Sequence, residues 1–82
     1  MSIRDKINGS FHMSKIEVGE RIRLLREKNC YSQEELAKRA NITKKFLYEI
    51  EHGRKGFSAE VLYALSNALS ASCDYLLKGE VA

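Results

Sequence analysis

The 82-residue chain contains no proline and only five glycines. Folds built from short strands need frequent Gly and Pro at their turns, so this scarcity favours helices joined by short links. No apolar run reaches the roughly 18 residues of a transmembrane helix. The first residues lack the apolar stretch of a secretory leader, and a cytoplasmic protein with no membrane partner is expected. There is no CxxC pair. Cys30 and Cys73 share no metal-ligand spacing with His12 or His52, so they read as two free thiols with no metal site. No Gly-rich phosphate loop is present, and no Ser/His/Asp, Cys/His or paired-carboxylate set falls on one face of a candidate helix. A chain of this length leaves little room for a pocket. These absences argue against an enzyme and against a cofactor. Internal repeats and low-complexity segments are missing too, which leaves one domain.

What is present is 44% hydrophobic and 30% charged residues, with a formal net charge of +3. Its distribution is uneven. Residues 1–37 carry seven Lys/Arg against six acids, residues 38–55 six against two, and residues 56–82 one against three. The positive excess therefore sits in one short segment. Such a patch is the electrostatic footprint of a phosphate backbone, although a solvated charged surface is the plainer reading of a patch standing alone.

Residues 1–13 show no sustained periodicity and read as a mobile N-terminal arm preceding a domain at 14–82. Met13 is a candidate initiator in its own right. Arg4 and Lys6 offer a possible reach into a DNA groove, against the plainer reading of a disordered tail. Ser14 to Glu17 and Ser32 to Glu35 match capping boxes. Val18, Ile22 and Leu25 then form the stripe of a first helix ending near Lys28–Asn29, with Arg21, Arg23 and Lys28 off the stripe. Asn29 suits the left-handed residue that often follows a helix. Leu36, Ala37 and Ala40 give a second helix a narrow inward face. Asn41 marks a turn, Ile42 plugs the corner, and Thr43 caps a third helix from Lys44 to about His52. That helix buries Leu47 and Ile50 and turns Lys44, Lys45, Tyr48, Glu49 and His52 outward. Lysines donate to guanine or phosphate and a glutamate accepts from cytosine, so this face suits a major groove. Gly53 ends the helix, with Arg54 and Lys55 placed beyond it to grip phosphates. A fourth helix begins at Ser58 and a fifth at Ser72, giving a compact all-α, five-helix domain.

Four segments together resemble the Cro/C1-type (XRE) helix-turn-helix regulators, whose domain is lambda repressor-like. They are GERIRLLRE (19–27), YSQEELAKRANIT (31–43), the string Phe46-Leu47-x-x-Ile50-Glu51-x-Gly53, and LSNALSASCDYLL (65–77). The resemblance implies that Lys44, Lys45 and Glu49 read bases with Tyr48 beside them. It places Ser32, Gln33, Thr43, Arg54 and Lys55 at the DNA backbone. It pairs Arg26 with Glu51 as an ion pair tying helix 1 to helix 3. The family's dimer surface maps around Phe57, Tyr75 and Leu77, although core burial is the plainer fate of Leu77. Three departures stand out. Cys30, Asn41 and Ser70 replace common family glycines, with Asn29 able to take the first of these turns. Phe57 replaces a frequent proline. The lysine pair replaces glutamines of some phage repressors.

The implied function is sequence-specific binding of double-stranded DNA as a transcriptional repressor, acting as a homodimer on a palindromic operator. The alternative is an antitoxin or adaptor module in which the same fold mainly binds protein.

Overall fold

The computed structural model describes residues 14–79. The arm at 1–13 lies outside the described residues, as do residues 80–82. Within the described span, five helices follow one another: α1 Lys15–Lys28, α2 Gln33–Arg39, α3 Lys44–Glu51, α4 Ala59–Leu69 and α5 Cys73–Lys78. Each begins with a hydroxyl residue in extended backbone. Ser14, Ser32, Thr43, Ser58 and Ser72 accept from the amide three residues on, at 3.0–3.3 Å. A cap of this kind is worth about 1 kcal/mol. The reciprocal arms of the two capping boxes do not form. The Glu17 carboxylate instead turns towards Arg21 at 4.0 Å, and Glu35 towards Arg39 at 3.3 Å. Each is an i,i+4 pair along its own helix, which competes with the reach back to the cap.

The first four helices end alike. In each, the chain turns through one left-handed residue: Cys30 (φ 60), Asn41 (φ 57), Gly53 (φ 69) and Ser70 (φ 54). The next amide then bonds a carbonyl five residues back: Tyr31 to Arg26, Ile42 to Ala37, Arg54 to Glu49 and Ala71 to Ser66. This is the Schellman closure of a helix. The expectation that Asn29 takes the first turn is corrected. Asn29 stays near φ −83, its side-chain amide donates to the Leu25 carbonyl at 2.8 Å, and Cys30 carries the left-handed turn itself. A residue with a Cβ is strained there by about 1–2 kcal/mol, and glycine's larger unfolded-state entropy cancels part of any relief. Ser70→Gly is therefore expected to stabilise the domain by about 0.5–1 kcal/mol in urea denaturation. A loss of stability would show that the Ser70 side chain contributes more than its strain costs.

The core is small and almost entirely aliphatic. Ile22, Leu36, Leu47, Ile50, Leu65, Leu69 and Leu76 are the largest fully buried side chains, joined by Val18, Ala37 and Ala40. Ala37 and Ala40 let α2 approach the core closely, as their smallness predicts. Two contacts have no signature in the local sequence. Gly19 lies where α1 crosses the C-terminal end of α3, so close that a Cβ would collide with the carbonyl oxygens of Ile50 and Glu51. Arg21, expected off the buried stripe, reaches α5. Its Nε and Nη2 donate to the carbonyls of Leu76 and Leu77 at 2.9 and 2.7 Å. A cation on the last carbonyls of a short helix satisfies orphan acceptors and complements the helix dipole.

Candidate nucleic-acid interface

α2 and α3 meet through the tight Asn41 turn, and α3 is divided lengthwise by its 3.6-residue period. Leu47, Ile50 and Glu51 face inward, while Lys44, Lys45, Tyr48 and His52 are exposed. Tyr48 is 40% exposed, and its ring has neighbours on the helix surface. It stacks on His52 with centroids 4.0 Å apart and 30° between planes, and the Arg54 guanidinium lies 5.8 Å from its centroid. The expected outward glutamate is corrected in part. The Glu49 side chain is only 20% exposed, and Lys55 Nζ lies 3.5 Å from its Oε1. The helix thus presents two free-standing lysines and a braced tyrosine, with a glutamate already engaged by a lysine from the loop.

Beneath this face lies a buried polar cluster. Arg26 Nε and Nη2 donate to the two Glu51 carboxylate oxygens at 2.7 and 3.2 Å. Gln33 Nε2 adds a third donor at 3.0 Å, and Arg26 Nη1 donates to the Tyr31 carbonyl at 3.0 Å. The Glu51 side chain is fully buried and that of Arg26 is 12% exposed. The cluster ties α1, α2 and α3 together below the exposed helix. Gln33, expected at the DNA backbone, spends one amide hydrogen here and keeps a second. Nothing in its sequence position signals the bond to Glu51, because it depends on how α2 and α3 cross. Ser32 and Thr43 are exposed at the first turns of α2 and α3, with each hydroxyl already accepting its capping bond.

Phe57 and Leu77 are half-buried and line a shallow cavity of about 180 Å³ with Val18 and Leu62. Tyr75 is half-buried on α5. Cys30 is exposed and Cys73 half-buried, and both are free thiols. Among the described residues, no helix is long and apolar enough to cross a membrane.

A tight two-helix unit with a basic exposed second helix, held on a three-helix scaffold, is the fold of a DNA-binding transcription regulator. The chain belongs to the helix-turn-helix domain family, whose model matches residues 19–81, and is of the Cro/C1 (XRE) type. Among solved structures it is similar to the P22 c2 repressor in complex with a synthetic operator, at 40% identity. That match covers 77% of this chain and 96% of the repressor, with a TM-score of 0.75. SinR, a master regulator for biofilm formation solved in complex with DNA, is 34% identical over 74% of this chain and 98% of its own (TM-score 0.72). The restriction-modification controller protein C.AhdI from Aeromonas hydrophila is 27% identical over 76% of this chain and 94% of its own (TM-score 0.73). The comparison with curated protein sequences gives no match. The P22 c2 repressor and SinR were both solved on DNA, and the kinship of this chain is with DNA-binding transcription regulators, a family that is not one of enzymes.

Proposed function

We propose that this chain is a cytoplasmic repressor that binds a palindromic operator as a homodimer, with α3 in the major groove. The lengthwise division of α3 carries the reading. Its buried side is locked by Leu47, Ile50 and the Glu51 cluster, and its other side exposes Lys44, Lys45 and Tyr48. In this reading the lysines donate to guanine O6/N7, Tyr48 packs beside them, and Glu49 accepts from cytosine. Ser32, Gln33, Thr43 and Arg54 stand at the flanks where phosphates pass. The P22 c2 repressor, similar over most of this chain, was solved on an operator, which supports the assignment.

Dimerisation follows from the small reach of one helix. A mismatched base pair costs about 1–3 kcal/mol, so a few contacts from one domain discriminate weakly against a genome of competitors. Two domains related by a twofold axis read half-sites about 34 Å apart. The half-buried Phe57, Tyr75 and Leu77 are the proposed contact, Phe57 and Leu77 both lining the shallow cavity. Selection from a random duplex pool, followed by sedimentation of the complex, tests this. The expected result is inverted half-sites one helical turn apart and two chains per duplex. Enrichment of a single half-site bound by one chain would contradict the dimer.

A protein partner is the second reading, because the related SinR is also solved in a complex with SinI. Binding to such a partner would lack the steep salt dependence that counterion release imposes on DNA binding.

A further inference from the structure

The four Schellman turns differ in the residue that follows the left-handed position. After α1, α2 and α4 that residue is Tyr31, Ile42 or Ala71, each packed on the core. After α3 it is Arg54, which is exposed. The usual apolar contact of the motif is thus absent from this turn alone. The chain leaving α3 passes Ile16 of α1 at Gly53 and keeps Arg54 and Lys55 exposed, so that these two side chains reach back to the helix before Phe57 returns to the core. The geometry is fixed by Gly53 and by the bond from the Arg54 amide to the Glu49 carbonyl at 2.9 Å. It delivers Arg54 above Tyr48 and Lys55 to the Glu49 carboxylate.

We propose that Lys55 is a positioning residue that acts on DNA recognition through Glu49, and not a phosphate contact. A bare carboxylate on a groove-reading helix repels the phosphates on either side. With Lys55 Nζ at 3.5 Å from Oε1, that charge is partly offset and the carboxylate is drawn towards the loop. Lys55 lies nearest one oxygen, as an ion pair, and Oε2 remains as an acceptor for a base-edge amino group such as cytosine N4. The inference rests on the DNA-binding reading and specifies how one part of that face is set.

A double-mutant cycle on the full chain tests it, using the duplex most enriched from the random pool. Lys55→Ala is expected to weaken binding roughly tenfold when Glu49 is present, by exposing its charge to the phosphates. In the Glu49→Gln background the same change is expected to cost less than about twofold. Lys55→Arg retains binding, and the Lys55 changes leave the melting temperature of either background where it was because the Lys55 side chain is 56% exposed. Equal losses in both backgrounds, each with a salt slope lower by about 0.9, would identify a direct phosphate contact and overturn the proposal. Wild-type chain with no salt-dependent affinity for duplex DNA would reject the DNA-binding reading itself, and the proposal with it.

Discussion

Glu51→Ala is expected to lower the unfolding free energy by about 3–5 kcal/mol, the cost of breaking a buried ion pair from one side. The Glu51 carboxylate has no solvent exposure and accepts three hydrogen bonds, two from Arg26 and one from Gln33. Removing it leaves the Arg26 guanidinium, 12% exposed, with a single partner at the Tyr31 carbonyl. That uncompensated charge sets the magnitude, more than the lost attraction does. Glu51→Gln keeps the shape and part of the bonding, so a smaller loss is expected. Glu35→Ala supplies the contrast. Its pair with Arg39 is solvent-exposed on both sides, and about 0.5 kcal/mol or less should follow. Urea denaturation of the three variants measures all of this. A Glu51→Ala loss no larger than that of Glu35→Ala would mean the cluster adds nothing to stability.

The second large effect runs against helix propensity. Alanine is favoured over glycine by about 1 kcal/mol inside a helix, so Gly19→Ala in the middle of α1 looks stabilising from sequence. The structure reverses the sign. The new Cβ would lie 2.7 Å from the Glu51 carbonyl oxygen, and closer still to that of Ile50. Both are backbone atoms at the end of α3 and no side-chain rotation relieves the clash. α1 and α3 must separate, and overpacking of this kind costs about 1–3 kcal/mol or more. Two backbone oxygens within 3.0 Å place the clash at the upper end of that range, and a net loss of about 1–2 kcal/mol is expected after the propensity gain is subtracted. The same change at Gly56, where the nearest atom is 3.8 Å away at the end of Lys15, should fall within about 0.5 kcal/mol of zero. A stabilised Gly19→Ala would contradict the close crossing.

These two residues show what the sequence makes legible and what it does not. The five hydroxyl caps and the aliphatic stripes are local, spanning three or four residues, and so Ser32, Thr43, Ile22, Leu47 and Ile50 can be placed without coordinates. Lys44, Lys45 and Tyr48 are exposed as their spacing from Leu47 and Ile50 predicts. The Arg26–Glu51 pair came from resemblance, not from spacing, because its members stand 25 residues apart. Gly19 and Arg21 were opaque for the same reason: their roles are defined by partners on α3 and α5. The capping boxes show a competition that a motif hides, since Glu17 and Glu35 each have an arginine four residues on. Cys30 shows that a left-handed turn need not advertise itself with glycine or asparagine. Glu49 falls on the outward side by spacing, but its pairing with Lys55 depends on the turn at Gly53 and on the bond from the Arg54 amide to Glu49's own carbonyl, neither of which the spacing of α3 contains.

The central claim is that the exposed side of α3 reads DNA, and fluorescence anisotropy with the enriched duplex tests it most directly. Lys44→Ala combined with Lys45→Ala removes two exposed cations without touching the core. Affinity is predicted to fall about a hundredfold, from roughly 1–3 kcal/mol at each side chain, while the thermal melt stays at the wild-type temperature. A folded double variant that binds the duplex as tightly as wild type would contradict the account.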